Sequence, residues 1–300
     1  MKAQTESVKR TWEIEEFTNR YLIHPVSSWF VTLFAKADIS PNTVSLLGMV
    51  FGVSSAVCFY YYHQPQLVFL GLFLMFSWHV MDGADGQLAR LTGKVSDIGM
   101  VIDGICDYAA FIAIYLALTL ALDEGGQWWI WAIGLVAGFS HAIQSSAFEF
   151  RRQEYDFWVH GKVNARLRTL DEVKLSGREG STLWRLLGAL YYYYLRTQYW
   201  VAGIDEDLSK QMEKAAADTG GGARNIRALY RDVNLPAVKQ WTLLSANKRT
   251  FVIFLTCLFG YPLYYFLFEA VILNLVLVYL LLKQRGYNFS LKSALATGRV

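Results

Sequence analysis

Three hundred residues would suffice for two soluble domains, but 54% of them are hydrophobic and 16% aromatic, and mean hydropathy is +0.25. That composition excludes an ordinary soluble protein and places the chain in the membrane class. The net charge is only +3, and no nucleic-acid partner is expected.

The basic residues are unevenly placed. The connectors near 63–66, 122–127 and 260–262 hold no Lys or Arg, whereas the N-terminal arm, 90–94, the stretch after Arg151 and the tail are basic. By the positive-inside rule, the basic parts face the cytoplasm. Cys58, Cys106 and Cys257 all lie in apolar segments without zinc or disulfide spacing, so three buried thiols are expected.

In chain order, residues 1–40 read as an N-terminal amphipathic and interfacial segment with no cleaved presequence. Its charged lead-in ends at a break, His24-Pro25. Val26 to Ala37 then forms a short apolar helix in the membrane interface. Ser40-Pro41 marks a helix start, with Ser40 as N-cap. Residues 41–152 read as a four-helix catalytic half. Its spans run from about Asn42 to Tyr62, Leu67 to Ala89, Ile98 to Leu122 and Trp128 to Phe150.

Residues 153–245 form a charged cytoplasmic or interfacial insertion. Within it, Gly220-Gly221-Gly222 fits a linker better than a phosphate cradle, because no strand precedes it. Leu183 to Val201, rich in Tyr but interrupted by Arg185 and Arg196, reads as an interfacial helix. Residues 246–284 form a two-span hairpin broken at Gly260–Pro262, with its first helix starting as early as Val238, and 285–300 form a cytoplasmic tail. The predicted fold is an all-α integral membrane protein of six transmembrane helices, both ends inside.

The chemistry concentrates in DGADGQLARLTGKVSDIGMVIDGICD, from Asp82 to Asp107. Carboxylates at membrane helix ends are costly and normally functional. Asp82, Asp85 and Ala89 share one helical face, with Gly86 beside them; Gly99, Asp103 and Asp107 form a second stripe. Four oxygen donors without nearby His or Cys suit magnesium or manganese, with calcium also compatible. Two ions bridged by carboxylates would serve phosphoryl transfer. Gly86 lets a ligand come close, and Arg90 is placed to meet a phosphate or a carboxylate; Gly99 fits helix packing better.

These residues match, without gap, the signature of the CDP-alcohol phosphotransferase family: Asp82, Asp85, Gly86, Ala89, Arg90, Gly99, Asp103 and Asp107. The resemblance implies a phosphotransferase of phospholipid synthesis at the cytoplasmic membrane surface. It would transfer a substituted phosphate from a CDP-linked donor to the hydroxyl of a lipid or polyol acceptor, releasing CMP. It implies metal ligation by Asp82, Asp85, Asp103 and Asp107, with Asp107 also the general base. Gly86, Ala89, Arg90, Ser96 and Gly99 would bind the donor. A homodimer among membrane lipids is implied by the resemblance alone. Asp97 lies outside the signature and reads as a helix-starting acid. The DGADG form, with Gly83, resembles members that use a CDP-linked small alcohol. The long insertion departs from compact members that use CDP-diacylglycerol.

On the fourth span His141, Ser145, Glu149 and Arg152 form a polar stripe, with Gln144 beside it. An acceptor pocket and interhelical hydrogen bonding both fit this stripe. Arg151 and Arg152 fit positive-inside anchors as well as phosphate contacts. Two other readings of the aspartates are a membrane prenyltransferase and a divalent-cation transporter. The first wants a second Asp-rich motif, and the second wants polar groups at mid-membrane on broken helices.

Overall fold

The computed structural model describes residues 13–162, 205–217 and 222–297, with isolated positions between 189 and 201. Most of the predicted helix at 183–201 and most of the glycine trio lie outside the described residues. Every regular element among them is helical: α1 (His24–Lys36), α2 (Pro41–Tyr60), α3 (Pro65–Thr92), α4 (Asp97–Leu122), α5 (Trp128–His160), α6 (Glu206–Ala217), α7 (Gly222–Trp241), α8 (Ala246–Leu258) and α9 (Leu263–Ala296). Four of these, α2, α3, α4 from Gly99 and α9, are long and apolar enough to cross a membrane. The α5 segment is helical as expected, and it runs ten residues beyond the predicted Phe150. By contrast α8 has only 13 residues, about 20 Å at 1.5 Å per residue.

The helix starts follow local chemistry. Ser40 Oγ accepts from Thr43 N at 3.2 Å, and Pro41 occupies the first turn, where its missing N–H costs nothing. Ser96 Oγ accepts from Gly99 N at 3.0 Å and starts α4 at Asp97. At the end of α3, Gly93 takes the left-handed conformation with φ 68°, which favours glycine. His24-Pro25 does not break the chain as expected. A π turn, Asn19–Ile23, runs straight into α1, with His24 N–H bonded to Asn19 O. The wider turn accommodates the proline ring and its missing donor.

The chain divides into two compact units. One takes in the described residues up to Phe139 together with Ala246–Val271; the other takes those from Ser140 to Ser245 together with 272–297.

In the first unit α2 packs against both α3 and α4 through a face of small residues. A Cβ at Gly52 would lie 2.4 Å from Ala110 Cβ, and one at Gly48 would lie 3.1 Å from Met81 Cβ. The two glycines therefore set how closely α2 meets its neighbours. The core gathers Phe59, Met75, Trp78, Ile114, Leu118, Ile253, Tyr265 and Phe266. Tyr62 at the α2–α3 turn lies near Glu124 and Cys257, so the turns 61–64, 123–127 and 259–262 share one end. Burial and the Glu124 charge both raise the Tyr62 phenol pKa. Tyr61, Trp128, Trp129, Tyr261 and Tyr264 are exposed there. Such a ring of amphipathic aromatics marks a membrane–water boundary. In the α4–α5 turn, the Trp131 indole and Gln127 N–H each donate to the Asp123 carboxylate at 2.7 Å and lower its pKa.

α1 braces the C-terminal half of α3. Ser27 Oγ donates to Val80 O at 2.8 Å, and Ser28 Oγ donates to Gln87 Oε1 at 2.9 Å. Ile23 and Val31 pack on Val80, Met81, Ala84 and Leu88. Gly83 permits this approach, because a Cβ there would sit 2.8 Å from Ser27 Oγ. Gly83→Ala is expected to destabilise the protein by about 1–3 kcal/mol, the usual cost of overpacking. Adding Ser27→Gly should restore most of the loss. Thermal unfolding in detergent checks this; an unchanged midpoint for the single variant would show that α1 does not bear on Gly83.

In the second unit the interior is polar as well as apolar. Gln284 Nε2 donates to Asn234 Oδ1 at 2.9 Å, and Trp241 Nε1 donates to Gln284 Oε1 at 3.4 Å. Asp205 Oδ1 caps α6 by accepting from Leu208 N at 3.1 Å, and its Oδ2 meets Lys292 Nζ at 2.6 Å. The segment from 285, expected as a tail, stays helical to Ala296.

Candidate active site at the α3 and α4 termini

The C-terminal turns of α3 and the N-terminal turns of α4 bring the signature together. Asp82, Asp85 and Asp103 offer carboxylate oxygens that lie within 4.8 Å of one another. Asp85 is buried and the other two are half-buried. Ser45, from α2, donates to Asp85 Oδ2 at 2.5 Å. Asp107 lies one turn beyond Asp103, and the Trp78 indole N–H donates to its Oδ1 at 3.2 Å.

Asp85 lies 20 residues into α3, about 30 Å from the aromatic end at 1.5 Å per residue. A bilayer's hydrocarbon core is about 30 Å thick. The carboxylates thus sit at the opposite interface rather than at mid-membrane.

Three like charges this close, partly withdrawn from water, require an intervening cation or shared proton. All the donors are hard oxygens, which fits magnesium or manganese. An octahedral shell with bonds of about 2.1 Å spans about 4.2 Å, so the oxygens need to draw in by less than about 1 Å. The residues present fit a divalent ion.

The flanking signature residues frame this cluster. The Arg90 guanidinium lies over Gly86, where a Cβ would come 3.3 Å from its Nη1. A Cβ at Gly99 would meet Ser96 Oγ at 3.1 Å and Asn42 Oδ1 at 3.3 Å. Ala89 is half-buried, and Ser96 and Arg90 are exposed. Ser96 has a structural task as the α4 cap. Ser45, Asn42 and Trp78 were missed in the sequence. The signal for Ser45 was its place in the small-residue series Ser45, Gly48, Gly52, Ser55 on one face of α2.

The polar stripe of α5 belongs to the second unit, the carboxylate cluster to the first. His141 is buried, and Ser145, Glu149 and Arg152 are half-buried. Arg152 grips Glu149 with two bonds of 2.8 and 2.5 Å, and Gln153 Nε2 adds a third at 2.8 Å. Gln144 Nε2 donates to Asn274 Oδ1 at 2.9 Å, and Asn274 Nδ2 donates to Ser140 Oγ at 2.8 Å. Arg151 is buried, paired with Glu154 at 2.7 Å and set over the Phe150 ring.

Residues 38–167, from the residue before Ile39 to just past the end of α5, match the family model described as CDP-alcohol phosphatidyltransferase. Over these 130 of the chain's 300 residues the protein is similar to the CDP-alcohol phosphatidyltransferases. The chain is 31% identical over 127 residues to choline/ethanolaminephosphotransferase 1 of Arabidopsis thaliana, covering 39% of this chain and 32% of that protein. It is 31% identical over 110 residues to the CDP-diacylglycerol--glycerol-3-phosphate 3-phosphatidyltransferase of Cereibacter sphaeroides, covering 37% and 49%. It is 28% identical over 112 residues to a CDP-diacylglycerol--serine O-phosphatidyltransferase of Encephalitozoon cuniculi, covering 35% and 29%. The matched part thus spans about a third to a half of these relatives. The matched segment contains α2 to α5 and every signature residue. Gly83, the residue that resembled the small-alcohol members, has a packing reason of its own in its contact with Ser27.

Proposed function

We propose that this chain is a membrane phosphotransferase that moves a substituted phosphate from a CDP-linked donor to an acceptor hydroxyl. The observation that carries this reading is the convergence of Asp82, Asp85 and Asp103 within 4.8 Å at a helix end, inside the family signature. The acceptor oxygen attacks the phosphorus distal to cytidine and forms the new O–P bond. The bond to the CMP phosphate breaks, and CMP leaves with the electron pair. Asp107 takes the hydroxyl proton. Arg90 meets a donor phosphate, and Gly86, Ala89, Ser96 and Gly99 let the donor lie close to the backbone. Two magnesium or manganese ions, held by Asp82, Asp85, Asp103 and Asp107, would neutralise the pyrophosphate charge when bound.

In this reading α5 and α8 are the fourth and fifth of six spans, the site faces the cytoplasm, and the protein works as a homodimer. The stripe His141, Ser145, Glu149 and Arg152 contributes to the acceptor pocket. The interfacial depth of the carboxylates favours this reading over a cation transporter, whose site belongs at mid-membrane. The relatives include both CDP-diacylglycerol-dependent phosphatidyltransferases and choline/ethanolaminephosphotransferases by name, so the donor is settled by a screen. Purified protein with magnesium, offered CDP-diacylglycerol or CDP-ethanolamine with matching acceptors, is expected to release CMP from one donor class at least about 10-fold faster. Equal, background-level release from both would count against the reading.

A further inference from the structure

Trp78 is among the most completely buried aromatic residues of the first unit, at 3% exposure, yet it carries a polar N–H. A buried N–H needs an acceptor, and this one has Asp107 Oδ1 at 3.2 Å. Trp78 lies four residues before Asp82 on α3, on the face that bears Asp82 and Asp85. Its ring is seated by α2. Cβ atoms at Gly48 and Gly52 would lie 3.5 and 3.6 Å from the indole, ordinary contact distances, so the ring lies directly against this face of α2. On the α4 side it meets the edge of Phe111, one turn after Asp107, at 5.1 Å and 83°. His79 lies against it at 4.5 Å between centroids and is itself tied to Thr250 Oγ1 at 2.8 Å. The indole thus spans two successive turns of α4 from a fixed seat.

We infer that Trp78 is a positioning residue that holds the Asp107 carboxylate in its working rotation. This rests on the proposed role of Asp107 as proton acceptor. An indole can only donate, so the bond commits Oδ1 to Trp78 and turns the second oxygen to the opposite side. Proton transfer depends on that direction, because a small misplacement of a reacting group costs rate far more than binding. The rate of the chemical step should therefore depend on one N–H that never touches substrate.

The test separates the N–H from the ring. Benzothienylalanine, inserted at position 78 by codon reassignment, keeps the bicycle and replaces N–H with sulfur; Trp78→Phe serves as the cruder variant. At saturating magnesium, kcat should fall about 10-fold or more with benzothienylalanine, the usual worth of a hydrogen bond to a charged group. KM for the CDP donor should stay within about twofold, and the unfolding midpoint should hold. In an Asp107→Asn background the same replacement should have no further effect. A wild-type kcat with benzothienylalanine overturns the inference even if Trp78→Phe is impaired, since only packing would then matter. Equal losses in kcat and in donor affinity would also overturn it. If Asp107→Asn itself keeps wild-type turnover, the proposed role of Asp107 fails instead, and the two failures are distinct.

Discussion

Replacing Asp103 with Asn should lower CMP release by about 10²–10³-fold while leaving the protein folded. The magnitude is that of losing one group that stabilises developing charge. Asn keeps the shape of the side chain and removes its charge. Asp82, Asp85 and Asp103 place their oxygens within 4.8 Å, and two such charges repel by about 3–4 kcal/mol at an effective dielectric of about 20. Removing one charge relieves that repulsion when no cation is present. Asp103→Asn should therefore unfold at the same or a higher temperature than wild type in chelator. Magnesium should raise the wild-type midpoint and leave that of the variant nearly unmoved. A variant that loses activity together with stability in chelator would mean that Asp103 serves packing and not an ion.

The second large effect concerns stability. Arg249 and Glu269 are both fully buried, and Arg249 Nε donates to the two carboxylate oxygens at 3.0 and 3.2 Å. Glu269 sits in the π turn Phe268–Ile272 of α9, a widening often kept for a particular side chain. Arg249→Ala leaves a buried carboxylate without its cation and should cost about 3–5 kcal/mol. Replacing both partners, Arg249→Met with Glu269→Leu, should recover more than half of that, because a matched apolar pair bears no unpaired charge. Chemical or thermal unfolding of the three variants in one detergent reads the result. A single variant within about 1 kcal/mol of wild type would show that the pair is not held as described.

The sequence was legible where one segment carries its own instructions. Ser40-Pro41 and Ser96-Asp97 start helices by local hydrogen bonds, and the aspartates stand out because apolar helices have no other use for them. Partners brought from other helices were not legible. Ser45 reaches Asp85 across 40 positions, and Trp78 reaches Asp107 across 29. The small-residue series around Ser45 marks a packing face but not its partner, and nothing near Trp78 signals its contact, because helix packing makes both. His24-Pro25 misled for a related reason. Proline normally stops a helix by removing a donor, but here a π turn absorbs the loss and the helix continues. The length of α5 was underread, because hydropathy falls at Glu149-Phe150-Arg151-Arg152 while helical hydrogen bonding does not. Arg151 could look like a surface anchor only until its burial beside Glu154 and Phe150 was seen.

The proposed activity rests on a divalent ion, held by Asp82, Asp85 and Asp103, that supports transfer from a CDP-linked donor. Its most direct test is CMP release by the purified, detergent-solubilised protein, with and without magnesium. The expected result is release from at least one CDP-linked donor that requires both an acceptor and the metal, stops in chelator and returns when magnesium is restored. A folded protein that releases no CMP from CDP-diacylglycerol, CDP-ethanolamine or CDP-choline, with either magnesium or manganese present, would contradict it.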